Sequence, residues 1–305
     1  MGAAVLVPGT SANLGPGFDS FGLALDVFNR FEAELADDWH VDVQGEGAGD
    51  LRTDGRNRVA QAMARAFAEA GRPELRAEIG CANQIALGNG LGSSATAIVG
   101  GLLLGEALAE VEIGQQRLLE IATEMEGHPD NIAASFVGGF TVCWTDAGRP
   151  RFARFEPARG LAVVVVVATG ELSTESARAM LPEAVPHEDA AFNVAHAGLL
   201  AASIATGRPE LLGAALADRL HEPYRASAVG DLQAVHEILR NAGAAGVALS
   251  GAGPTIIGLV AADTDEIAHE RAQEVAARAA DAVRGLATRR APVALRIDRA
   301  GARRL

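Results

Sequence analysis

The sequence predicts an α+β protein with two domains, residues 1–150 and 151–305. Short runs of apolar and β-branched residues indicate strands, and longer segments with apolar residues at helical spacing indicate helices. Their order is typical of helices packed on one face of a mostly antiparallel sheet. Between Thr145 and Arg159 the composition shifts to glycine, proline and charge, which places the domain boundary there.

In the first half, glycine and proline separate the elements clearly. The loop after the first strand is rich in glycine, proline and small polar residues and has no helical period. The alternation over Phe31–Leu35 and His40–Gln44 favours antiparallel strands. The remaining expected elements are strands over Ala3–Pro8, Phe21–Phe28 and Leu75–Ile85, and helices over Arg58–Gly71, Ala95–Leu108 and Gln115–Glu126.

The second half opens with Ala162–Ala168, a continuous β-branched run of the kind found in central strands buried on both faces. Two or three helices are expected between Thr174 and Arg219. The remaining expected elements are helices over Leu232–Ala242 and Asp265–Leu286, and strands over Val247–Ser250, Thr255–Ala261 and Pro292–Asp298.

Composition excludes several functional classes. The chain is 49% hydrophobic but only 4% aromatic, so its core is aliphatic, and no apolar run approaches the ~20 residues of a membrane helix. A net charge of -13 argues against nucleic-acid binding. The N-terminal segment has no basic stretch typical of a signal peptide. Cys81 and Cys143 form no disulfide framework, which favours a reducing cytoplasm.

The chain contains no lysine, so all 26 basic residues are arginine. A P-loop ending in Gly-Lys-Ser/Thr and a kinase-type β3 lysine are therefore excluded. Any phosphate must be held by backbone amides, hydroxyl groups, arginine or a metal ion.

The most informative segment is Leu87–Ala95, in which alternate glycines lead into two serines and an apolar helix. Glycine allows the backbone to curl around an anion, and a helix starting near Ser93 or Ser94 points its N–H groups at it. Serine hydroxyls can also ligate a hard cation such as Mg²⁺. The alternative is a glycine turn with a serine N-cap before a buried helix.

Four segments together resemble the GHMP small-molecule kinases. Three are similar to the signature motifs of that family, and the fourth, after the glycine loop, is similar to the version in the branch that phosphorylates L-homoserine. The four segments are Pro8–Asp19, Gly90–Ala95, Ser250–Thr255 and Glu126–Asn131. They occur in order and span residues 8 to 255.

The resemblance implies an N-terminal ATP-binding domain and a C-terminal ferredoxin-like α/β sandwich. It also implies transfer of the ATP γ-phosphate to the side-chain hydroxyl of L-homoserine, giving O-phospho-L-homoserine for threonine biosynthesis. The implied cofactors are ATP and Mg, and a homodimer is expected because the family often dimerises.

For ATP and its metal, the resemblance implies Ser94 and a glutamate eleven residues before Asn131, which is Glu120. Glu124 is the fallback because it lies four residues on, on the same helix face. Without the resemblance, Glu120 would be a solvated helix glutamate. The implied nucleotide-binding residues are Asn57 near the adenine and, in the glycine loop, Leu87, Gly88, Asn89, Gly90, Leu91, Gly92, Ser93 and Ser94.

The acceptor site should recognise a carboxylate, an ammonium group and a hydroxyl. The resemblance places Arg178 and Arg225 on the carboxylate, a natural partner of bidentate arginine. It places Asp19 and Asn13 on the ammonium group, and Thr174 beside the substrate. Otherwise the arginines would be surface residues and Asp19 a turn former.

The resemblance places Asn131 where mevalonate kinase relatives have a catalytic aspartate. An asparagine is no general base near neutral pH, so we expect it to orient the hydroxyl while the proton passes to the phosphate. Asp130 is the competing base, or a cap for the helix beginning near Asn131. His128 contacts substrate or fills a polar gap.

Three rival functions remain at this point. Another GHMP kinase could act on mevalonate or a sugar, although the arginine pair favours an amino acid. A non-catalytic ATP or metabolite sensor could keep the fold. A dinucleotide-binding oxidoreductase is disfavoured because Gly88-x-Gly90-x-Gly92 lacks the G-x-G-x-x-G spacing.

Overall fold

The computed structural model describes residues 2–305, and within that range it contains eleven strands and ten helices. The strands are β1 (Ala3–Ala12), β2 (Phe21–Ala36), β3 (His40–Gly45), β4 (Arg76–Asn83), β5 (Phe140–Asp146), β6 (Arg149–Phe155), β7 (Leu161–Val166), β8 (Gly246–Leu249), β9 (Ile256–Ala261), β10 (Val293–Arg296) and β11 (Arg303–Arg304). The helices are α1 (Arg58–Glu69), α2 (Ser93–Ala109), α3 (Gln115–Glu126), α4 (Asp130–Val137), α5 (Thr174–Ala179), α6 (His187–Thr206), α7 (Pro209–Ala215), α8 (Glu222–Arg225), α9 (Leu232–Ala242) and α10 (Asp265–Arg284).

The first sheet has the order β11-β1-β2-β4-β3, with β5 pairing one end of β2 and β6 pairing β5. Its pairs are antiparallel except β3 with β4, which run parallel. The expectation that His40–Gln44 pairs antiparallel was therefore wrong. Residue alternation reports which face of a sheet is buried, and it does not report the direction of the neighbouring strand.

Helices α1 to α4 cover one face of the first sheet. Val5, Val7 and Phe31 project from the strands into the same apolar core as helix residues such as Met63 and Leu102, all at most 1% exposed. Alternate strand residues share one face, which is why β1 buries Val5 and Val7 together. This layer fixes the first turns of α2 and α4 beside the end of β1.

The second sheet has the order β10-β7-β9-β8 and is antiparallel throughout. Every residue of β7 is buried, as its continuous apolar sequence predicted. One face, including Val164, packs against α9 and α10, and the other, including Val163, packs towards α6, α7 and the first sheet. The two sheets therefore share a core.

The segment in which we placed the domain boundary, Thr145–Arg159, contains the second half of a β-hairpin. β6 pairs along its length with β5, so residue 150 lies inside a strand of the first sheet. Residues 156–160 connect that sheet to β7, and β11 returns to pair with β1. The chain therefore crosses between the sheets twice, after β6 and after β10. The domain boundary at residue 150 stays a prediction. Across residues 2–305, no helix combines the length and apolar character needed to cross a membrane.

Candidate active site

A cavity of ≈ 130 Å³ lies where the two sheets meet. The end of β1 and the N-terminal ends of α2 and α4 reach it from the first sheet, and α5, α8 and the loop after β8 reach it from the second. Eight lining residues were predicted for the substrate or the metal: Asn13, Asp19, Ser94, His128, Asn131, Thr174, Arg178 and Arg225.

The glycine loop is held tightly in a conformation that only glycine adopts easily. Gly90 and Gly92 have φ of 79° and 71°. A Cβ at Gly90 would lie 2.2 Å from the Ser250 carbonyl oxygen, and one at Gly92 would lie 2.1 Å from the Thr10 hydroxyl. The loop is therefore fixed between β1 and the second glycine turn.

Helix α2 begins at Ser93 with Gly92 as N-cap, and no side chain caps its first turn. The first backbone N–H groups of a helix have no intrahelical partner, and the helix dipole favours an anion there. Gly92, Ser93 and Ser94 all line the cavity. This end of the helix is therefore suited to holding a phosphate group.

The carboxylate that faces Ser94 belongs to Glu126. The Ser94 hydroxyl donates to Glu126 Oε2 at 2.7 Å, and Arg58 contacts the same oxygen at 3.2 Å. Glu126 is the last residue of α3, its side chain is 12% exposed, and it lines the cavity. A hydroxyl and a carboxylate are hard oxygen donors of the kind that Mg²⁺ prefers.

The structure does not bring Glu120 or Glu124 to this place. Glu120 accepts from Gln116 and Arg117, and Glu124 pairs with Arg65. Glu120 lies six residues before Glu126, which is about 9 Å along the helix axis. The structure therefore places Glu126, and neither Glu120 nor Glu124, beside Ser94 in the cavity. A count of eleven residues back from Asn131 assumes a fixed connection between α3 and α4, and that connection is residues 127–129 here.

A second cavity adjoins the first and shares Gly88, Ser93 and Ser94 with it. Asn57 and Leu87 line this second cavity. Asn57 is the N-cap of α1: its Oδ1 accepts from Val59 N–H at 3.1 Å and its Nδ2 donates to the Arg52 carbonyl. The structure therefore places Asn57 beside the predicted phosphate loop, with its polar atoms engaged in the fold.

Asp19 and Arg178 face each other across the join between the sheets. Arg178 donates through Nη1 and Nη2 to the two Asp19 carboxylate oxygens at 2.9 and 2.8 Å. The Asp19 hydrogen bonds raise the pKa of Arg178 above its ordinary value. Asp19 has φ of 53°, and its backbone N–H donates to Asn13 Oδ1 at 2.9 Å. Asn13 thus sets the loop that presents the Asp19 carboxylate.

Arg225 is 2% exposed and held by its neighbours. Its Nη1 donates to His221 Nδ1 at 3.0 Å, so His221 donates through Nε2 to the Gly15 carbonyl at 2.8 Å. Burial lowers the pKa of His221, which keeps the ring neutral and able to accept from arginine. The Phe18 ring lies 5.5 Å from the Arg225 guanidinium and 5.8 Å from that of Arg178. The aromatic ring therefore contacts both cations.

The residues at the start of α4 form a compact polar group. Asp130 is 2% exposed, and its Oδ1 accepts from His128 Nδ1 at 2.8 Å, Asn131 N–H at 2.7 Å and Asn131 Nδ2 at 3.2 Å. Although burial alone would lower it, contact with Asp130 raises the pKa of His128. Asp130 thus accepts from a first-turn N–H of α4, but it is the first residue of that helix, whose N-cap is Pro129.

Sequence reasoning assigned no role to several residues of this site. Glu126 stands within a quoted motif, and its position directly before Gly127 was the available signal. Thr10 also stands within a quoted motif, and its hydroxyl contacts Asn131 at 2.8 Å. Leu172 and Ser173 line the cavity beside Thr174. Ser173 begins the segment by which Arg178 was located, whereas no sequence pattern included Leu172.

Glu222 is the first residue of α8, the helix that carries Arg225, and its carboxylate allows a test of how this helix is packed. Burial raises the pKa of Glu222 to about 8, while its Oε1 accepts from Leu249 N–H at 2.6 Å. The folded protein therefore binds a proton that the unfolded chain releases above roughly pH 5, so stability falls as pH rises towards 8. Glu222→Gln keeps the acceptor oxygen and stays neutral. In thermal scans between pH 5.5 and 8, we expect the Tm of the wild type to fall relative to that of Glu222→Gln. A Tm difference that does not change with pH would contradict the raised pKa of Glu222.

The uncapped N-terminus of α2, which the glycine loop holds in place, lies in one cavity with Asp19, Arg178 and Arg225, as a kinase of small charged molecules requires. Residues 57–139 match the GHMP kinases N terminal domain, and residues 200–283 match GHMP kinases C terminal. The chain belongs to the GHMP kinase family and, within it, to the homoserine kinases.

Relatives and solved structures support that placement. The chain is 45% identical to homoserine kinase of Streptomyces coelicolor over 85% of each sequence. It is also 45% identical to homoserine kinase of Streptomyces avermitilis, over 87% of this chain and 88% of the relative. The crystal structure of homoserine kinase from Cytophaga hutchinsonii is 25% identical, with a TM-score of 0.87 over 100% of this chain and 97% of that one.

Proposed function

We propose that this chain transfers the γ-phosphate of ATP to the side-chain hydroxyl of L-homoserine and produces O-phospho-L-homoserine for threonine biosynthesis. One observation carries the proposal: Asp19, Arg178 and Arg225 line the same small cavity as the uncapped N-terminus of α2. A helix end that suits an anion and three charged side chains that suit a zwitterion therefore line one cavity of ≈ 130 Å³.

The nucleotide phosphates are proposed to bind the backbone of residues 87–94, with the adenosine towards the second cavity and Asn57. The loop offers N–H groups in a fixed arrangement, which is what phosphoryl transfer requires from a protein. Asn57 then acts by shaping this cavity, since its side-chain oxygen and nitrogen already bond to Val59 and Arg52.

Ser94 and Glu126 are the residues proposed to hold Mg²⁺. Among the described residues no cluster of three or more His, Cys, Asp or Glu side chains forms a metal cage. This fits Mg²⁺, which in kinases is held by one or two protein ligands together with phosphate oxygens and water. Bound there, the ion would neutralise charge on the phosphates.

The acceptor is proposed to bind as a zwitterion. Its ammonium group would lie at Asp19 and Asn13, and its carboxylate at Arg178 and Arg225, so that each charged side chain faces an opposite charge on the acceptor. Thr174 and His128 would complete the wall of the pocket.

Asn131 is proposed to orient the acceptor hydroxyl without acting as a base. Its amide has no proton-accepting chemistry near neutral pH, and Asp130 is committed to three hydrogen bonds. Attack by the hydroxyl oxygen on the γ-phosphorus breaks the bond to ADP, and the hydroxyl proton passes to a phosphate oxygen. Catalysis then rests on positioning and charge neutralisation.

A coupled ADP-release assay with Mg·ATP tests this proposal on a panel of L-homoserine, D-homoserine, L-serine, L-threonine, mevalonate and galactose. We expect kcat/KM for L-homoserine to exceed that for mevalonate by at least about 10²-fold, because mevalonate leaves Asp19 unpaired. Turnover of mevalonate or a sugar instead would discard the acceptor assignment. Absence of any turnover with ATP still bound would favour a sensor.

We also propose a homodimer in the cytoplasm. Burial raises the pKa of Cys81 to about 12, and Cys143 is likewise free and buried, which suits thiols of a reducing compartment. Sedimentation equilibrium of the purified chain measures the dimer, and a monomer mass at all concentrations would contradict it.

A further inference from the structure

Thr10 joins the phosphate loop to the acceptor side of the site. It is 0% exposed near the end of β1, and its hydroxyl donates to Asn131 Oδ1 at 2.8 Å. Its backbone N–H donates to the Leu91 carbonyl at 3.0 Å, and its hydroxyl lies 2.1 Å from the position that a Cβ of Gly92 would take. One buried side chain therefore contacts both halves of the reaction centre.

The orientation of the Asn131 amide follows from its two neighbours. Asp130 Oδ1 lies 3.2 Å from one end of the amide and already accepts from the Asn131 backbone N–H. Placing the amide oxygen at that end would set two acceptors against each other, so the NH₂ group must lie there. The amide oxygen then faces the Thr10 hydroxyl, which donates a hydrogen bond to it.

We propose that Thr10 is a positioning residue that makes Asn131 a hydrogen-bond donor towards the reacting oxygens. Thr10 fixes Oδ1 on its own side of the amide and Asp130 takes one Nδ2 hydrogen, so the second Nδ2 hydrogen is the one donor of the amide that is left for a ligand. Asn131 then donates to the acceptor hydroxyl oxygen, which leaves the hydroxyl proton directed at the γ-phosphate. This inference rests on the proposed function.

The neighbouring residue, Ser11, cannot position Asn131 in the same way. Successive residues of a strand point to opposite faces, so Ser11 faces away from Asn131. Ser250 Oγ lies 2.8 Å from Ser11 Oγ and 2.6 Å from the Gly90 carbonyl oxygen. Because a carbonyl can only accept, Ser250 donates its one proton to Gly90 and accepts from the Ser11 hydroxyl. The Ser11 side chain therefore ties β1 to the second glycine turn, while the Thr10 side chain sets the amide that faces substrate.

The test is the steady-state kinetics of Thr10→Val, Thr10→Ser and a control, Thr141→Val. Thr10→Val keeps the shape and removes the donor, and we expect kcat with L-homoserine to fall about 10- to 100-fold while KM for ATP changes less than about 3-fold. Thr10→Ser restores the donor and should recover most of kcat. Thr141 is also 0% exposed and donates to the Gly22 carbonyl, but it does not line the cavity, so its valine variant should keep wild-type kcat.

A double-mutant cycle with Asn131→Ala separates positioning from general structure. If Thr10 acts through Asn131, Thr10→Val should lower kcat by less than about 2-fold in the Asn131→Ala background, because the group it positions is gone. Equal losses in both backgrounds, or full kcat in Thr10→Val, would overturn the inference. Failure of the wild type to phosphorylate L-homoserine would instead overturn the proposed function.

Discussion

Replacing Glu126 by glutamine should lower kcat with L-homoserine and Mg·ATP by about 10²- to 10³-fold, since a metal-held phosphate contributes several kcal/mol of transition-state stabilisation. The substitution keeps the side-chain volume and an oxygen that can accept from Ser94 Oγ, now at 2.7 Å. It removes the negative charge that would hold the ion. We expect the Mg²⁺ concentration for half-maximal rate to rise together with the fall in kcat.

The matched controls are Glu120→Gln and Glu124→Gln on the same helix. Glu120 bonds to Gln116 and Arg117, and neither glutamate lines the cavity. Each control should keep kcat and the Mg²⁺ dependence within about 2-fold, because neither side chain reaches Ser94 or the cavity. A large loss in Glu120→Gln with wild-type behaviour in Glu126→Gln would return the metal assignment to Glu120.

The contrast between Glu120 and Glu126 illustrates what the sequence could and could not predict. Helix α3 was predicted at its observed bounds, because apolar spacing and the following Gly127 mark them. The count led to Glu120 and not to Glu126, the glutamate beside Ser94, because spacing counted across a loop depends on loop length, which composition does not encode. By contrast, Ser94 needed no counting because it lies within its motif.

Long-range pairing accounts for the other differences. The bidentate contact of Asp19 with Arg178 joins residues 159 positions apart, so no local sequence pattern predicts it. The return of β11 to β1 depends on the same kind of contact. The parallel pairing of β3 with β4 was missed because alternation is identical for either strand direction.

Arg178→Leu should raise KM for L-homoserine by about 10²- to 10³-fold, since it removes two charge-assisted hydrogen bonds to the acceptor carboxylate. It also leaves Asp19 without its guanidinium partner, now at 2.8 and 2.9 Å. When a zwitterionic acceptor binds, we expect its ammonium group to pair with Asp19 and its carboxylate to pair with Arg178, in place of the ion pair between these two residues. Arg178→Lys should recover little, because lysine cannot form the bidentate contact.

Arg178 is a sharper test than Arg225. Arg225 is 2% exposed and bonds to His221, so its removal should destabilise the fold as well as the site. The Arg178 side chain is 39% exposed, and exposed ion pairs contribute about 0–1 kcal/mol to stability. Kinetic losses in Arg178→Leu can therefore be assigned to substrate binding.

Arg117→Leu is the matched control for Arg178→Leu. Arg117 makes a bidentate pair with Glu69 at 2.8 and 2.9 Å, its side chain is 40% exposed, and it does not line the cavity. We expect wild-type KM in this control, and ATP affinity by equilibrium titration unchanged in both variants. An equal loss of ATP affinity in Arg178→Leu would place Arg178 at the nucleotide and contradict the acceptor assignment, because a carboxylate partner should act on one substrate alone.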